Sequence, residues 1–193
     1  MNLNGKTITG TVQNYGTLSI YNGTVNTTGD DAIITFGNLT VSSGTYKGKL
    51  HGVANAGTVN ITNGTFTGGY QGLWNNGGNV TISGGTFTGS TYDGLSSDGG
   101  TITINGGSFT GTNYGIINYG GVSVLNGGYA RGNTIDGFRQ QGGTVYLNAI
   151  SLSGHNWCGS YSAGTNTVIG SGWQIYSDQG WANVYGIAWS EAY

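Results

Sequence analysis

Four acidic or basic side chains stand at similar places in the chain and are the best candidates for catalysis. Asp31, His51, Asp93 and Asp136 each come just before a short apolar pattern. Glycosidases use two carboxyl groups held roughly 5 to 9 Å apart as acid, base or nucleophile. Asp93 and Asp136, with His51, could therefore act on a polysaccharide. An aspartate before glycine can also hydrogen-bond to its own backbone in a turn. This explains Asp93 in the sequence YDG and Asp136 in the sequence IDG without a catalytic role.

Other residues have the chemistry of a carbohydrate-binding surface. Aromatic rings stack on the flat faces of sugars, while amides and hydroxyls bind the sugar oxygens. Some of these residues lie in or beside one strand pattern, some replace small polar residues in one coil, and some lie in the C-terminal part. The predicted binding residues are Tyr70, Trp74, Tyr92, Tyr114, Tyr119, Tyr129, Arg131, Arg139, Trp173, Tyr176, Trp181 and Trp189.

A repeat of about 21 residues must position these side chains. Glycines mark its start at spacings of 20 to 22 residues, and we number the coils one to seven from them: Gly16, Gly37, Gly57, Gly78, Gly100, Gly121 and Gly143. Repeats of this length are typical of solenoids, in which each unit packs only on its neighbours.

The pattern of apolar and polar residues in each coil predicts three short strands. The first alternates apolar and polar residues, as in Val80 and Ile82, so the apolar side chains face inward. The second places a single large residue inward, and the third strand places one apolar residue inward, as Leu73 does. The inward residues of the second strand are Val25, Tyr46, Phe66, Phe87 and Phe109.

Residues that recur at the same position in successive coils form what we call a column. Columns of glycines and of polar side chains predict where each coil turns. One glycine column precedes the second strand, where a positive φ turns the chain without strain. It consists of Gly23, Gly44, Gly64, Gly85, Gly107 and Gly128. Another follows that strand at Gly48, Gly68, Gly89, Gly111 and Gly132. A polar column after the third strand should hydrogen-bond from coil to coil. Its members are Asn55, Asn75, Ser97, Asn118 and Gln140.

This pattern predicts an all-β, parallel β-helix, or β-solenoid, of about seven coils, right-handed by crossover chirality. With that architecture the chain resembles the right-handed β-helices of the pectin-lyase-like class, and more loosely the β-helical adhesins and tailspikes of bacteriophages. The resemblance covers Gly5 to Gly159. It implies a range of activities that includes lyases, hydrolases, adhesins and passive spacers, and the phage proteins imply a homotrimer.

The domain organisation follows from where the period begins and ends. We expect an N-terminal cap or first partial coil at 1–15, the β-helix at 16–159, and a Trp- and Tyr-rich cap or recognition tip at 160–193. In coil six, VSVL inverts the alternation, so Val122 and Val124 should face outward. Either a bulge restores the register there, or this face is covered.

Composition excludes several classes of function. Lys and Arg number 5, charged residues are 6% and the net charge is −2, so nucleic acid is a poor partner. One cysteine, Cys158, allows no internal disulfide, and we expect no cofactor and no metal. No apolar run suits a membrane span or a secretory signal peptide. A virion protein leaves the cell by lysis and needs no signal peptide for export. We therefore expect a virion or extracellular-surface location.

We therefore expect a non-enzymatic adhesin, a phage tail or fibre component that binds a bacterial surface glycan or another virion protein. A polysaccharide lyase or hydrolase is the alternative, although two coils separate Asp93 from Asp136, which at about 4.8 Å per coil is ~10 Å. A second alternative is ice binding, since Thr pairs such as Thr65 and Thr67 face outward. Threonine is also what an exposed strand favours by β-propensity.

Overall fold

A parallel β-solenoid of about seven coils forms the body of the protein, with three strands in each coil. The computed structural model describes residues 1–162, 166–169, 174–178 and 181–185, and side chains as far as residue 160. The predicted all-β solenoid with three strands per coil is confirmed. No helix among the described residues is long and apolar enough to cross a membrane.

The strands are short, and their bounds follow in chain order. The first thirteen are β1 (Thr7–Thr9), β2 (Val12–Asn14), β3 (Thr17–Ile20), β4 (Thr24–Asn26), β5 (Asp31–Thr35), β6 (Asn38–Val41), β7 (Thr45–Lys47), β8 (His51–Asn55), β9 (Thr58–Ile61), β10 (Thr65–Gly68), β11 (Gln71–Asn75), β12 (Asn79–Ile82) and β13 (Thr86–Gly89). The others are β14 (Leu95–Ser97), β15 (Thr101–Ile104), β16 (Ser108–Gly111), β17 (Ile116–Asn118), β18 (Val122–Leu125), β19 (Tyr129–Gly132), β20 (Asp136–Gln140), β21 (Thr144–Leu147), β22 (Ser151–Gly154), β23 (Trp157–Ser162), β24 (Asn166–Ile169), β25 (Gln174–Asp178) and β26 (Trp181–Tyr185).

Equivalent strands of successive coils pair into three sheets. Sheet A contains β3, β6, β9, β12, β15, β18, β21 and β24, and sheet B contains β1, β4, β7, β10, β13, β16, β19 and β22. Sheet C runs β2, β5, β8, β11, β14, β17, β20, β23, β26 and β25. All pairs are parallel except β23 with β26 and β26 with β25. Each side chain therefore has its repeat counterparts directly above and below it.

The core is a set of stacked columns. Phe87 lies between Phe66 and Phe109, with ring centroids 4.7 and 4.8 Å apart and nearly parallel planes. Tyr46 continues the stack onto Phe66, and its hydroxyl donates a hydrogen bond to the Ser43 carbonyl. These rings are buried, and so are inward apolar residues of sheets A and C such as Val80, Ile82 and Leu73. The predicted inward columns are confirmed.

A hydrogen-bonded polar ladder lines the inner side of the turns after sheet C. Asn55 Nδ2 donates to Asn75 Oδ1 at 2.7 Å, and Asn75 Nδ2 donates to Ser97 Oγ at 3.0 Å. The same amides also bond turn carbonyls, as Asn75 does with Gly78. The prediction that this column bonds from coil to coil is confirmed for coils two to four.

The two glycine columns meet different requirements. In the first, φ is positive at Gly44, Gly64, Gly85, Gly107 and Gly128. Gly23 differs, because Asn22 before it takes the positive φ of 59° and Leu3 occupies the space of a β-carbon. In the second column the need is close approach, since a β-carbon on Gly89 would lie 2.0 Å from the Asp93 carbonyl oxygen.

Coil six keeps its register, so the alternative of a bulge in VSVL is wrong. Val122, Ser123 and Val124 of β18 pair in order with β15 and with β21. Both valines are half-buried on the outside, as predicted, and Ser123 is fully buried in the core. A hydroxyl therefore occupies a place that Ile102 and Val145 fill in the neighbouring coils.

Parallel pairing continues past residue 159, where the loss of the repeat led us to end the solenoid. β24 pairs with β21 in the same register as the earlier coils of sheet A. Sheet C instead adds β26 and β25 in antiparallel order beyond β23. Tyr176 and Trp181 lie on these two strands, whereas Trp173 and Trp189 lie outside the described residues.

Candidate functional site

The outer face of sheet C carries many of the predicted binding residues. In each coil of this sheet one side chain points away from the core between two inward residues. Register places these outward residues in one column: Ile34, Ala54, Trp74, Ser96, Ile117 and Arg139. Trp74 is the one aromatic side chain among these six, and its indole lies across its neighbours rather than alone on the surface.

Two contacts hold the Trp74 ring, and a third interaction holds one of its partners. His51 of the preceding coil stacks on it with centroids 5.2 Å apart and planes 30° apart. Its Nε1 donates a 3.0 Å hydrogen bond to Oδ2 of Asp98 in the next coil. His51 Nδ1 in turn lies 2.6 Å from Oδ1 of Asp31, and both of these side chains are largely buried. This chain of contacts fixes the indole across four coils.

Tyr70 and Tyr92 extend the aromatic surface next to Trp74. Their rings meet edge to face with centroids 5.0 Å apart, and Tyr70 also contacts His51 edge to face. Each tyrosine is about two-fifths exposed, at 43% and 41%. We call Tyr70, Trp74 and Tyr92, with His51 beneath them, the aromatic cluster. The structure thus brings together three predicted binding residues and one predicted catalytic residue.

Tyr114 and Arg139 form a second group on the same face. Arg139 Nη1 donates a 2.8 Å hydrogen bond to the Tyr114 hydroxyl, and the guanidinium carbon lies 5.5 Å from the ring centroid. Burial raises the pKa of Tyr114, and the positive charge of Arg139 lowers it in part. Tyr119 is exposed in the turn that follows. Together they are the next aromatic group along the rod after the aromatic cluster.

Asp93 and Asp136 lie in one column but are not brought together. Tyr114 stands between them, and its backbone N–H donates to Asp93 Oδ1 at 3.3 Å. Gln71 Nε2 donates to Asp93 Oδ2 at 3.4 Å, whereas Asp136 Oδ2 accepts a 2.6 Å bond from Ser160. His51 belongs to the same column but is paired with Asp31. Each candidate acid therefore has its own separate partners.

Burial changes the acidity of both carboxyl groups. Desolvation raises the pKa of Asp93 to about 6, and the bonds from Gln71 and Tyr114 oppose that rise. Desolvation also raises the pKa of Asp136, against the Ser160 hydrogen bond and the Arg139 charge. Solvent reaches neither group readily, since Asp93 is 4% and Asp136 1% exposed.

An apolar pocket that the sequence did not predict opens beside the aromatic cluster. Its cavity volume is about 90 Å³, and its lining consists of Ile34, Thr35, Phe36, Ala54, Asn55, Ala56, Trp74 and Asn76. Phe36 is 55% exposed and stacks on Tyr15, with centroids 5.3 Å apart and planes 8° apart. The sequence did contain a signal for the aromatic wall of this pocket. Aromatic residues recur at one turn position, which is occupied by Tyr15, Phe36 and Tyr119.

Tyr129 and Arg131 lie on a different face of the rod. They belong to the outer side of sheet B, in register with Ser108 and Thr110. Arg131 and His155 line a polar pocket of about 160 Å³ with Asn133 and Ser153. The outward threonines Thr65 and Thr67 align with Thr86 and Thr88 on this sheet. The predicted binding residues are thus divided between two faces.

Comparison with protein-family models, with curated proteins and with solved structures finds no match to this chain. The described residues contain no cluster of three or more His, Cys, Asp and Glu side chains that could hold a metal ion. The geometry of the site is therefore the basis for any assignment of function.

Proposed function

We propose that this protein is a non-enzymatic, glycan-binding adhesin, and that the outer face of sheet C is its binding surface. The observation that carries the proposal is the aromatic cluster, in which Trp74, Tyr70 and Tyr92 are held in place and partly open to solvent. Aromatic rings with neighbouring amides and hydroxyls are the groups that bind sugar rings.

Rigidity supports this assignment. A sugar polymer loses conformational freedom on binding, so a surface that is already ordered binds it more tightly than a mobile one. Hydrogen-bonded strands carry the rings at a repeat of about 4.8 Å per coil. A long polysaccharide lying along the rod would contact Trp74 and Tyr92, and further on Tyr114 and Tyr119, without any rearrangement of the backbone.

We place this adhesin on a virion or an extracellular surface, as a tail or fibre component, by its resemblance in coil architecture to phage β-helices. A bacterial surface polysaccharide is the partner that the aromatic cluster suits best. Another virion protein binding the same face would appear as protein association with no response to glycans. Sedimentation analysis of the native mass would distinguish a homotrimer from a monomer.

A polysaccharide-degrading enzyme is the second candidate, because the pKa of Asp93 near 6 would suit a general acid. Against it, Tyr114 separates Asp93 from Asp136, and Asp93 is only 4% exposed. Glycans that bind should be recovered uncut, and Asp93→Asn and Asp136→Asn should bind as the wild type does. Shortened chains that disappear with either variant would replace the adhesin with an enzyme.

Ice binding remains a third candidate on sheet B, where outward hydroxyls are in register from coil to coil. Thr7 aligns with Thr24 ahead of the pairs at Thr65 and Thr86. Lys47 and Arg131 interrupt the array, which favours a smaller role for this face. Inhibition of ice recrystallisation by the wild type, lost in Thr67→Leu and Thr88→Leu, would establish that function.

The direct test is a glycan array probed with the wild type and with Trp74→Ala and Tyr92→Ala. We expect each variant to weaken binding at least tenfold, as for an aromatic hot spot. Tyr146→Ala is the matched control, since Tyr146 is similarly exposed, at 38%, but lies on sheet A. Equal binding by the wild type and the sheet C variants would overturn the proposal.

A further inference from the structure

We propose that the pocket between Phe36 and Trp74 binds the acetamido group of a 2-acetamido sugar. This inference rests on the proposed function and names the class of glycan. The pocket lies at the end of the aromatic cluster, so a sugar stacked on Trp74 would place a ring substituent beside it. We call it the acetamido pocket.

The size of the pocket indicates a substituent rather than a whole sugar. Small-molecule sites usually have volumes above about 300 Å³, whereas this cavity has about 90 Å³. The nitrogen, carbonyl and methyl of an acetamido group fill such a space, while the sugar ring stays outside against the indole.

The lining is neutral and mostly apolar. Its floor and walls are the side chains of Ile34, Phe36, Ala54, Ala56 and Trp74. Two polar residues that also line it are occupied elsewhere. Thr35 accepts a hydrogen bond from Asn14, and Asn55 donates one to Asn75 inside the ladder. Because no charged side chain lines the cavity, a carboxylate or phosphate substituent would lose its solvation there without a partner.

An acetamido group matches both parts of this lining. Its methyl would remove apolar surface from water against Ala54 and Ile34, and its flat amide would lie against an aromatic ring. Asn76, which is exposed at the rim, carries an amide that can donate to the acetyl carbonyl or accept from its N–H. A hydroxymethyl group would be desolvated in the same place, and a bare methyl would make no hydrogen bond to Asn76.

Both aromatic walls are held before any ligand arrives. Tyr15 stacks on Phe36, and His51 and Asp98 hold Trp74. The backbone beneath is also paired, since the Ala56 N–H donates to the Thr35 carbonyl and the Asn76 N–H to the Asn55 carbonyl. A preformed cavity binds its ligand without the cost of ordering its own side chains.

The test uses glycan pairs that differ only at C2. Oligosaccharides of N-acetylglucosamine and of glucose, and of N-acetylgalactosamine and of galactose, are titrated calorimetrically into the full chain. We expect the acetamido member of at least one pair to bind at least about tenfold more tightly. A pocket typically discriminates by about this factor between ligands that differ in one small group. Saturation-transfer NMR should find the acetyl methyl protons closest to the protein.

Ala54→Leu should fill the pocket and reduce the preference within a pair to less than threefold, while binding of the plain hexose remains. Thr40→Leu is the matched control, because Thr40 is an exposed outward residue of the same coil as Ala54 but lies on sheet A, outside the pocket. If Ala54→Leu does not fold, Phe36→Ala replaces it, since Phe36 is largely exposed.

The outcomes separate the two proposals. A wild type that binds both members of every pair equally overturns the acetamido pocket and leaves the adhesin standing. Retained preference in folded Ala54→Leu also overturns the pocket. A wild type that binds no glycan, neither in these pairs nor on the array, overturns both proposals. A preference that is lost in Ala54→Leu but kept in Thr40→Leu supports both.

Discussion

Ser123 donates a 2.7 Å hydrogen bond from its buried hydroxyl to Oε1 of Gln140 in the same coil. The hydroxyl also accepts a 2.7 Å bond from Asn118 Nδ2 of the coil before. Sheet A is thereby linked to the polar ladder of sheet C through the core. The inverted alternation of VSVL is thus the means by which two amide side chains, Asn118 and Gln140, are bonded away from water.

Replacing Ser123 with Val should destabilise the protein, although valine occurs at this position in the next coil. The change leaves buried amide groups of Asn118 and Gln140 without their partner, at a cost of about 1–3 kcal/mol. Urea unfolding monitored by circular dichroism measures the loss. Val145→Ile, at the adjacent position in the column, is the control and should change stability by less. A more stable Ser123→Val would show that the bridge contributes nothing.

Phe87→Ala should cost about 3 to 5 kcal/mol of unfolding free energy, because it opens a cavity in the middle of the ring stack. Phe66 and Phe109 would each lose one stacking partner. Thr88→Ala, on the outward side of the same strand, should stay within about 0.5 kcal/mol. The pair is compared by chemical denaturation. Similar stabilities for the two variants would contradict the observed register of sheet B.

Gly89→Ala should prevent normal folding, or lower the melting temperature severely, through backbone contact alone. Its β-carbon would lie 2.0 Å from the Asp93 carbonyl oxygen and 2.4 Å from that of Tyr70. Gly16→Ala is the control, since a β-carbon there has no atom within 4 Å. Thermal melts followed by circular dichroism compare the two. A well-folded Gly89→Ala would mean that the corner is wider than described.

Stability should fall as pH rises through the titration of Asp93. The folded pKa of this group is raised from 3.8 to about 6 by burial. The folded state therefore binds its proton more tightly than the unfolded state, and this stabilisation is present below pH 4 and is lost by about pH 6. The shift corresponds to roughly 2–3 kcal/mol.

Asp93→Asn removes that titration, so its stability relative to the wild type should increase between pH 4 and pH 6.5 and then stay level. Unfolding free energies across this range measure the difference, and carboxyl NMR shifts measure the pKa directly. Asp136 remains in both proteins, so its own raised pKa cancels in the comparison. A difference that does not change with pH would contradict a raised pKa for Asp93.

Asp98→Ala should weaken glycan binding about two- to tenfold by releasing the Trp74 indole from its hydrogen bond, whose net value is about 0.5–1.5 kcal/mol. Asp98→Asn keeps an oxygen acceptor and should bind almost as the wild type does. Calorimetric titration gives the affinities, and Trp fluorescence reports the mobility of the ring. Equal losses in both variants would assign the effect to the charge of Asp98 instead.

The core of the solenoid could be predicted almost completely from the sequence. An inward position such as Phe66 or Leu73 must be apolar in every coil, and a corner such as Gly64 must tolerate a positive φ. These requirements repeat with the coil, so the sequence repeats with them. The close approach of the backbone at Gly89 is less apparent from the sequence. A column of glycines does not reveal whether glycine is required by a positive φ or by the lack of room for a β-carbon.

The outer face was harder to predict because no shared requirement repeats there. The outward column of sheet C holds side chains as different as Ala54, Trp74 and Arg139. Trp74 was found from its chemistry, whereas Phe36 was missed because it lies in a turn after the polar column. The hydrogen bonds from Trp74 to Asp98 and from Arg139 to Tyr114 join different coils, and the repeat carries no information about such pairs.

The walls of the acetamido pocket come from the first and third coils, with the Ala54 floor in the second. Its width is consequently set by how many coils lie between Phe36 and Trp74. Duplication of one repeat between them would move the walls apart by about 4.8 Å, and deletion of one would close the gap by the same step. Recombination within the gene would therefore change the width of the pocket, and with it the substituent that fits, in a single event without any substitution at Phe36 or Trp74.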